Sequence, residues 1–235
     1  FYSPAAQLRN RPPRVELLRL TNEQFRQSAA DLIESFKRPQ TLVPERGLRG
    51  RYFNVEKMNK EKEHVLDRID PTIDFNWGGG VPADKINQTG FSVRWSGSLL
   101  APVTGLYQFR VRTHNSALFL LNSVRGDDDK NSFIDAYVST RNESHEKSGS
   151  KFLLGGRGYP VYLRYFTYKE KVASLHLEWK PPGGIWEAIP NDYLMPEVLD
   201  TVTVVGTKFP PDDRSLGYER CLLYTSDAAD EKVRG

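Results

Sequence analysis

Residues 91–113, FSVRWSGSLLAPVTGLYQFRVRT, decide the fold because they contain two strand patterns joined by a turn. In each half, apolar side chains alternate with polar ones, and the turn between the halves carries Pro102 and Gly105. The apolar positions are Phe91, Val93 and Trp95 in the first half and Tyr107, Phe109 and Val111 in the second. Period-two alternation of this kind predicts strands that place one face on a core and the other in solvent.

Strand patterns continue on the carboxyl-terminal side of this segment. Apolar or alternating runs occupy residues 117–124, 134–139, 151–154, 159–168 and 173–179. We expect the last two runs to pair as a hairpin, and we expect the glycine-rich stretch 154–160 to form a hairpin turn. Many short strands separated by Gly and Pro turns predict an antiparallel β-sandwich or barrel, so the predicted class is mainly β with one N-terminal helix.

The N-terminal helix is predicted to begin near Thr21. Thr21 and Gln24 have the spacing of a capping box, in which each side chain bonds the main-chain N–H of the other residue. One apolar face follows at helical spacing and is made of Phe25, Ala29, Leu32, Ile33 and Phe36. Because an isolated helix of this length is marginal in water, this face needs a partner, either the strands that follow or a segment outside this chain.

The sequence divides the chain into four segments. Residues 1–46 are predicted to be a linker and an amphipathic helix from a preceding domain, and residues 47–196 are predicted to be the β-sandwich. Residues 197–220 are predicted to contain an exit strand at 201–205 and a linker to a further domain. Residues 221–235 begin with CLLYTSDAADE, which matches the in-frame translation of a sequencing-library adapter and predicts a non-native tail.

The composition argues against several classes of function. The chain has 235 residues with 33 basic and 30 acidic side chains, a balance that does not indicate nucleic-acid binding. No apolar run approaches the roughly 20 residues of a transmembrane helix, so no membrane insertion is expected. The single cysteine, Cys221, lies in the segment interpreted as non-native, so no internal disulfide is predicted.

No catalytic motif is present, and we predict that the chain is not an enzyme. Its four histidines lack the HExxH spacing of a zinc site, and there is no GxSxG nucleophile elbow. Aspartates are the remaining candidate ligands, in the group Asp67, Asp70 and Asp74 and in the run Asp127, Asp128 and Asp129. Calcium takes oxygens from such loops, but neither group has EF-hand spacing, so a solvated acidic loop is the alternative interpretation of each.

Six landmarks in order resemble a known family. They are GLRGRYFN at 47–54, RIDPTIDFNWGGGVP at 68–82, FSVRWSGSLLAPVTGLYQFRVRT at 91–113, FLLGGRGYPVYLRYF at 152–166, ASLHLEWKPPGG at 173–184 and IPNDYL at 189–194. In this order the chain resembles the domain named for the anthrax protective antigen, the PA-fourteen family. The resemblance covers residues 47–196 and implies a β-sandwich module of the kind that binds glycans in fungal adhesins and in glycosidases.

For the adhesins of that family, the resemblance implies two adjacent aspartates after the Tyr-x-Phe strand, which hold calcium for sugar hydroxyls. The corresponding turn here is 113–116, where His114 and Asn115 stand in place of the acidic pair. Histidine is a poor calcium ligand and asparagine offers one neutral oxygen, so a tight calcium site is not expected. The candidate ligand-binding residues are His114, Asn115, Asp127, Asp128 and Asp129, and the last three are the candidate ligands of any metal.

The expected function follows from this resemblance. It implies a non-catalytic carbohydrate-binding accessory module without a cofactor, in an exported bacterial multi-domain protein that is extracellular, cell-surface or periplasmic. Its partners are expected to be a glycan or neighbouring domains of the same chain. The alternative is a structural or protein-interaction spacer of the same fold without a glycan site. The flanks resemble parts of large bacterial multi-domain proteins that often carry c-type haem, but no CxxCH haem motif occurs here.

Overall fold

The structure is a computed structural model that describes residues 20–36, 40, 43–55, 64–87, 90–126, 129–137, 143–167 and 172–204. The chain forms two compact units. The larger unit comprises residues 30–204, and the smaller comprises residues 1–29 with 205–235, of which residues 20–29 are described. All of the described strands lie in the larger unit.

Two antiparallel sheets form a sandwich in the larger unit, which confirms the predicted fold class. The strands are β1 Leu48–Phe53, β2 His64–Asp70, β3 Asp74–Gly78, β4 Ser92–Ala101, β5 Gly105–Thr113, β6 Ser116–Leu121, β7 Ile134–Ala136, β8 His145–Leu153, β9 Arg157–Phe166, β10 Ala173–Lys180, β11 Glu187–Ala188 and β12 Leu194–Met195. The seven-stranded sheet has the order β2-β1-β4-β9-β6-β7, with β12 on β4. The five-stranded sheet has the order β11-β10-β5-β8, with β3 on β10.

The core lies between the two sheets and is rich in aromatic rings. The alternation predicted for residues 91–113 is confirmed, because its apolar positions are at most 2% exposed: Phe91, Val93, Trp95, Tyr107, Phe109 and Val111. Trp179 of β10 and Tyr165 of β9 complete these inward rows and are also buried. Fully burying a large apolar side chain contributes about 1.5–3 kcal/mol, so these rows supply most of the cohesion between the sheets.

The predicted hairpin between residues 159–168 and 173–179 is wrong. The strand β9 belongs to the seven-stranded sheet, whereas β10 belongs to the five-stranded sheet, so the chain crosses between sheets at this point. The turn at 154–160 likewise joins β8 of one sheet to β9 of the other and is not a hairpin turn. Both hydrogen-bonding edges of β9 are occupied, by β4 on one side and β6 on the other, so β10 has no edge on which to pair.

The predicted exit strand at 201–205 is also wrong where the structure describes it, because residues 201–204 form no strand. Asn122 follows β6 and has a φ of 59°, which is not a strand conformation. Its side-chain amide bonds both main-chain groups of Val202. The amide nitrogen donates to the Val202 carbonyl at 2.7 Å, and the amide oxygen accepts from the Val202 N–H at 2.8 Å. Residues 201–204 are therefore held by a side chain and not by pairing with a neighbouring strand.

The N-terminal helix, α1, runs over Asn22–Glu34. Its capping box is confirmed, since Thr21 Oγ1 accepts from the N–H of Gln24 at 3.1 Å and Gln24 Oε1 accepts from the N–H of Thr21 at 2.9 Å. The residues of α1 that belong to the larger unit are 30–34.

Of the two partners considered for the apolar face of the helix, the strands do not cover this face in the part that lies in the larger unit. Leu32 and Phe36 are 64% and 85% exposed, whereas Ala30 is buried in the core. Asp31 and Glu34 form ion pairs with Arg157, the first residue of β9, whose side chain is largely buried. A buried guanidinium without a carboxylate is costly, so this polar contact decides which face of the helix points inward.

A buried carboxylate joins β1, β2 and β4. Asp70 Oδ2 accepts from the Tyr52 hydroxyl at 2.5 Å and from Trp95 Nε1 at 2.7 Å, and Arg68 Nε donates to Asp70 Oδ1 at 2.7 Å. Burial, together with the adjacent Asp70 charge, raises the pKa of Tyr52, so the phenol stays protonated as a donor. A Cβ on Gly50 would lie 2.5 Å from Asp70 Oδ2, so a glycine is required beneath this carboxylate.

We predict that Asp70→Asn lowers the free energy of unfolding by about 3–5 kcal/mol, because the partly buried Arg68 loses its carboxylate partner and the two buried donors lose a charged acceptor. Urea denaturation measures the change. The matched control is Asp67→Asn, whose carboxylate lies 3.6 Å from Arg49 and from Arg51 near the surface and which should change stability by less than about 1 kcal/mol. Equal effects of the two substitutions would contradict the structural role of Asp70.

Candidate functional site

One end of the sandwich carries the turn between β5 and β6. Cross-strand register places Thr113 opposite His145, Ser116 opposite Phe166, and Ala117 opposite Ala136. The end of β7, the start of β8, the end of β9 and the start of β10 therefore meet around this turn. We call this region the rim and define it as residues 113–116, 136–137, 145, 166–167 and 172–174.

The polar side chains of the turn are directed into the rim. Thr113 Oγ1 donates to the Ser174 carbonyl at 2.7 Å and accepts from the N–H of Asn115 at 3.0 Å. Asn115 Oδ1 accepts from the Tyr165 hydroxyl at 2.5 Å and from the N–H of Ser174 at 3.4 Å, and its Nδ2 donates to the Val172 carbonyl at 3.2 Å. Asn115 is 4% exposed, so its amide is committed to joining three strand ends.

Two histidines flank this turn. His114 Nδ1 lies 2.7 Å from Ser174 Oγ, and the ring is partly exposed. His145 Nε2 lies 3.2 Å from the Ala136 carbonyl, which ties β8 to β7. Of the predicted pair, His114 is therefore accessible to solvent, whereas Asn115 is buried and holds the surrounding strand ends.

Tyr137 is a rim residue that sequence reasoning missed. It is 61% exposed, and its ring packs on Phe166 with a centroid separation of 5.9 Å and an interplanar angle of 57°. In β7, Ile134 and Ala136 are buried while Asp135 is exposed, so period-two alternation places Tyr137 on the outer face. An aromatic residue at an outward position was the available signal.

The connection that carries the predicted acidic residues does not start at the rim. Asp127 and Asp128 are outside the described residues, and Asp129 begins a short 3₁₀-helix, Asp129–Asn131. This connection starts at the end of β6, whereas His114 and Asn115 come just before its beginning. The two ends of this six-residue strand are roughly 17 Å apart. The structure therefore brings His114 and Asn115 together but places the start of the connection to Asp129 at the other end of the strand.

A polar cavity of about 540 Å³ adjoins that connection. It is lined by Leu121, Asn122, Ser123, Val124, Arg125, Asn131 and Lys151. Lys151 Nζ donates to the Leu121 carbonyl at 2.8 Å, and burial lowers the pKa of this amine. The cavity is therefore bounded by two cationic residues, Arg125 and Lys151.

The other aspartate group is also dispersed. Asp67 pairs with surface arginines, Asp70 is buried among its three donors, and Asp74 pairs with His176. Across the described ranges, no cluster of three or more His, Cys, Asp or Glu side chains has a geometry that could hold a metal ion. Within the same ranges, no helix has the length and apolarity to cross a membrane.

The sequence profile of the PA14 domain matches residues 44–193, which is most of the chain and nearly all of the sandwich. The chain belongs to the PA14 domain family. The resemblance that the sequence landmarks indicated is thereby confirmed at the level of the family.

Two anti-sigma factor proteins are among the proteins similar to this chain. The anti-sigma-I factor RsgI3 of Acetivibrio thermocellus is 30% identical over 150 residues, which cover 64% of this chain and 21% of that protein. The structure of an anti-sigma factor domain-containing protein from Clostridium clariflavum is 26% identical with a TM-score of 0.56, covering 72% of this chain and 52% of that one. The chain therefore spans about a fifth of the first relative and about half of the second.

A fungal adhesin shares the fold. The epithelial adhesin 6 A domain from Candida glabrata, solved in complex with Galβ1-3GlcNAc, superposes with a TM-score of 0.55 at 13% identity. The match covers 72% of this chain and 96% of the adhesin domain. At this level of identity the similarity shows a common sandwich.

We predict that Asn115→Ala lowers the free energy of unfolding by about 1–3 kcal/mol, because buried groups of Tyr165, Ser174 and Val172 lose their partners. Chemical denaturation of the variant tests this. Asn76→Ala is the matched control, since Asn76 is exposed on β3 opposite Ser174 and should change stability by less than about 0.5 kcal/mol. An Asn115 variant as stable as the control would show that the amide does not hold the rim.

Proposed function

We propose that this chain is a non-catalytic carbohydrate-binding module of an exported multi-domain protein and that it binds its glycan at the rim without a tight calcium site. The observation that carries this proposal is the exposed ring of Tyr137 on Phe166, at the same end of the sandwich as the polar turn of His114 and Asn115. An exposed aromatic ring next to fixed polar groups is the combination that saccharides require, because a pyranose has an apolar C–H face and a polar hydroxyl edge.

The proposed roles of the rim residues follow from their surroundings. Tyr137 packs on the C–H face of a sugar, and the partly exposed His114 hydrogen-bonds a hydroxyl. Asn115 supports these groups through its bonds to Tyr165 and Ser174. Its carbonyl oxygen already accepts two hydrogen bonds, so calcium would have to displace both before it gained one neutral ligand. This favours direct contact with the sugar without a metal.

The acidic loop that contains Asp127, Asp128 and Asp129 is a separate candidate. The connection leaves β6 at the end remote from the rim, so a ligand or metal held there would not share the His114 site. Any calcium bound by these aspartates would act independently of the glycan contacts proposed for Tyr137.

A spacer or protein-interaction domain is the second candidate function. It is favoured by the similarity to anti-sigma factor proteins at 26–30% identity and by the exposed apolar side chains of Leu32 and Ile33 in α1 and of Phe36 just after it. A domain that only joins others needs no aromatic residue at its rim, so binding measurements on Tyr137 variants separate the two functions.

We predict binding to a glycan array that persists in EDTA and is reduced about tenfold or more by Tyr137→Ala, since loss of about 1.4 kcal/mol of stacking corresponds to a factor of ten in Kd. Tyr137→Phe should retain most of the affinity because it keeps the ring. Leu106→Ala is the control, as Leu106 is 55% exposed at the opposite end of the sandwich and should not affect binding.

Affinity for no glycan, with or without calcium, would overturn the carbohydrate proposal and leave the spacer function. Binding abolished by EDTA would contradict the metal-independent form. Binding that survives Tyr137→Ala unchanged would show that the rim is not the site.

A further inference from the structure

Trp186 lies against the outer face of the five-stranded sheet. The guanidinium carbon of Arg110 lies 4.5 Å from the centroid of the indole, and Arg110 is an outward residue of β5 between the buried Phe109 and Val111. Trp186 is itself partly exposed. Because the guanidinium covers one face of the ring, the indole reaches solvent through its other face and its edge.

A tight turn and an ion pair hold the indole in place. The N–H of Gly184 donates to the Pro181 carbonyl at 2.9 Å, and Gly183 has a φ of 72°, as the third residue of a type II turn requires. This turn leads the chain from the end of β10 to the indole. On the sheet side, Arg110 Nε donates to Glu178 Oε2 at 2.7 Å. A ring fixed in this way loses little freedom when a ligand packs on it, which favours binding.

Polar side chains continue from the indole across the sheet. The alignment of β11 on β10 brings Trp186 next to Lys180, which lies opposite Gln108, and Gln108 lies opposite Ser150. Gln108 and Ser150 are exposed, and their strands pair without a bulge. Adjacent strands are about 4.8 Å apart, so these residues form a row roughly 14 Å long. We call Trp186, Lys180, Gln108 and Ser150 the indole row.

The ionic groups beside the indole row neutralise one another. Glu178 pairs with Arg110 and also lies 3.5 Å from Arg112, and Glu146 lies 3.7 Å from Arg110. Two guanidinium groups thus stand beside two carboxylates, and this group of four carries no net charge. The arrangement favours a neutral ligand. It does not favour a protein partner, because the centre of a protein interface is apolar, whereas an amide, a hydroxyl and an amine follow the ring here.

We propose that the indole row binds a neutral polysaccharide chain lying across the five-stranded sheet. One sugar ring packs on Trp186, and the hydroxyl groups of the following rings bond to Gln108 and Ser150. A β-1,4-linked chain is extended and presents both apolar C–H faces and hydroxyl edges, which matches an aromatic ring followed by polar groups. This site goes beyond the one proposed at the rim and is separate from it, because Gln108 and Thr113 are five residues apart along β5, roughly 17 Å.

Adsorption of the whole chain to microcrystalline cellulose and to insoluble xylan tests this proposal. We expect Trp186→Ala to lower the affinity about tenfold or more, because the stacking surface is lost. Trp186→Tyr should retain most of the affinity, since it keeps an aromatic ring. Gln108→Ala should weaken adsorption about threefold or more through the loss of a hydrogen bond. Gln108 is exposed, so this variant keeps the test decisive even where Trp186→Ala does not fold.

Two control variants separate this site from other contacts. Ile185→Ala removes an apolar side chain that is 76% exposed directly beside Trp186 in sequence, and it should leave adsorption unchanged. Tyr137→Ala removes the aromatic ring proposed to bind glycans at the rim, and the adsorption that depends on Trp186 should persist in this variant. Urea denaturation of each variant verifies that the sandwich is intact.

Every other outcome would overturn the proposal. Absence of adsorption to both polysaccharides, or adsorption that neither Trp186→Ala nor Gln108→Ala weakens, would do so and leave the rim proposal unaffected. An equal loss in Ile185→Ala would indicate general apolar adsorption. Loss in Tyr137→Ala alone would assign the polysaccharide to the rim. Absence of adsorption together with a change of oligomeric state in Trp186→Ala, measured by sedimentation, would assign this face to a contact between copies of the chain.

Discussion

The antiparallel pairing of β4 with β9 is the constraint on which the rest of the structure depends. The two strands pair along their whole length, from Ser92 opposite Phe166 to Ala101 opposite Arg157. A slip of one residue would turn every inward side chain of either strand to the outer face. The same register that buries Trp95 and Tyr165 also places Phe166 on the outer face, where it packs on Tyr137, so the core and the aromatic part of the rim are consequences of one alignment.

The rim shows how polar groups divide between stability and binding. Thr113 and Asn115 bond to main-chain groups at the start of β10, and Asn115 also accepts from Tyr165 of β9, so this amide links the two sheets. Groups used in this way cannot also serve a ligand without leaving buried donors unsatisfied. The groups that remain accessible to a ligand are the partly exposed His114 ring and the exposed Tyr137 ring.

Local patterns in the sequence were sufficient to locate the strands but not to identify which strands pair with each other. Alternation located β4 and β5 because one face of each is apolar, and the Thr21 and Gln24 spacing located the start of α1. The assignment of β9 and β10 to different sheets depends on which edges are already occupied, and no local pattern records that. The sequence left open which side of α1 faces the strands, because Arg157, which pairs with Asp31 and Glu34, is more than 120 residues away. Tyr137 likewise becomes a candidate only when the strand register shows which residues share a face.

The topology also separates two groups of candidate ligand residues that the sequence alone could not assign to different places. His114 and Asn115 lie where β6 begins, whereas the connection to Asp129 starts where β6 ends, next to the cavity bounded by Arg125 and Lys151. Side chains at opposite ends of β6 cannot ligate the same metal ion, because a six-residue strand separates them by roughly 17 Å. A ligand site at the rim therefore has to be completed by the neighbours of the turn itself, and the exposed ring of Tyr137 on Phe166 is the apolar surface that this end of the sandwich offers.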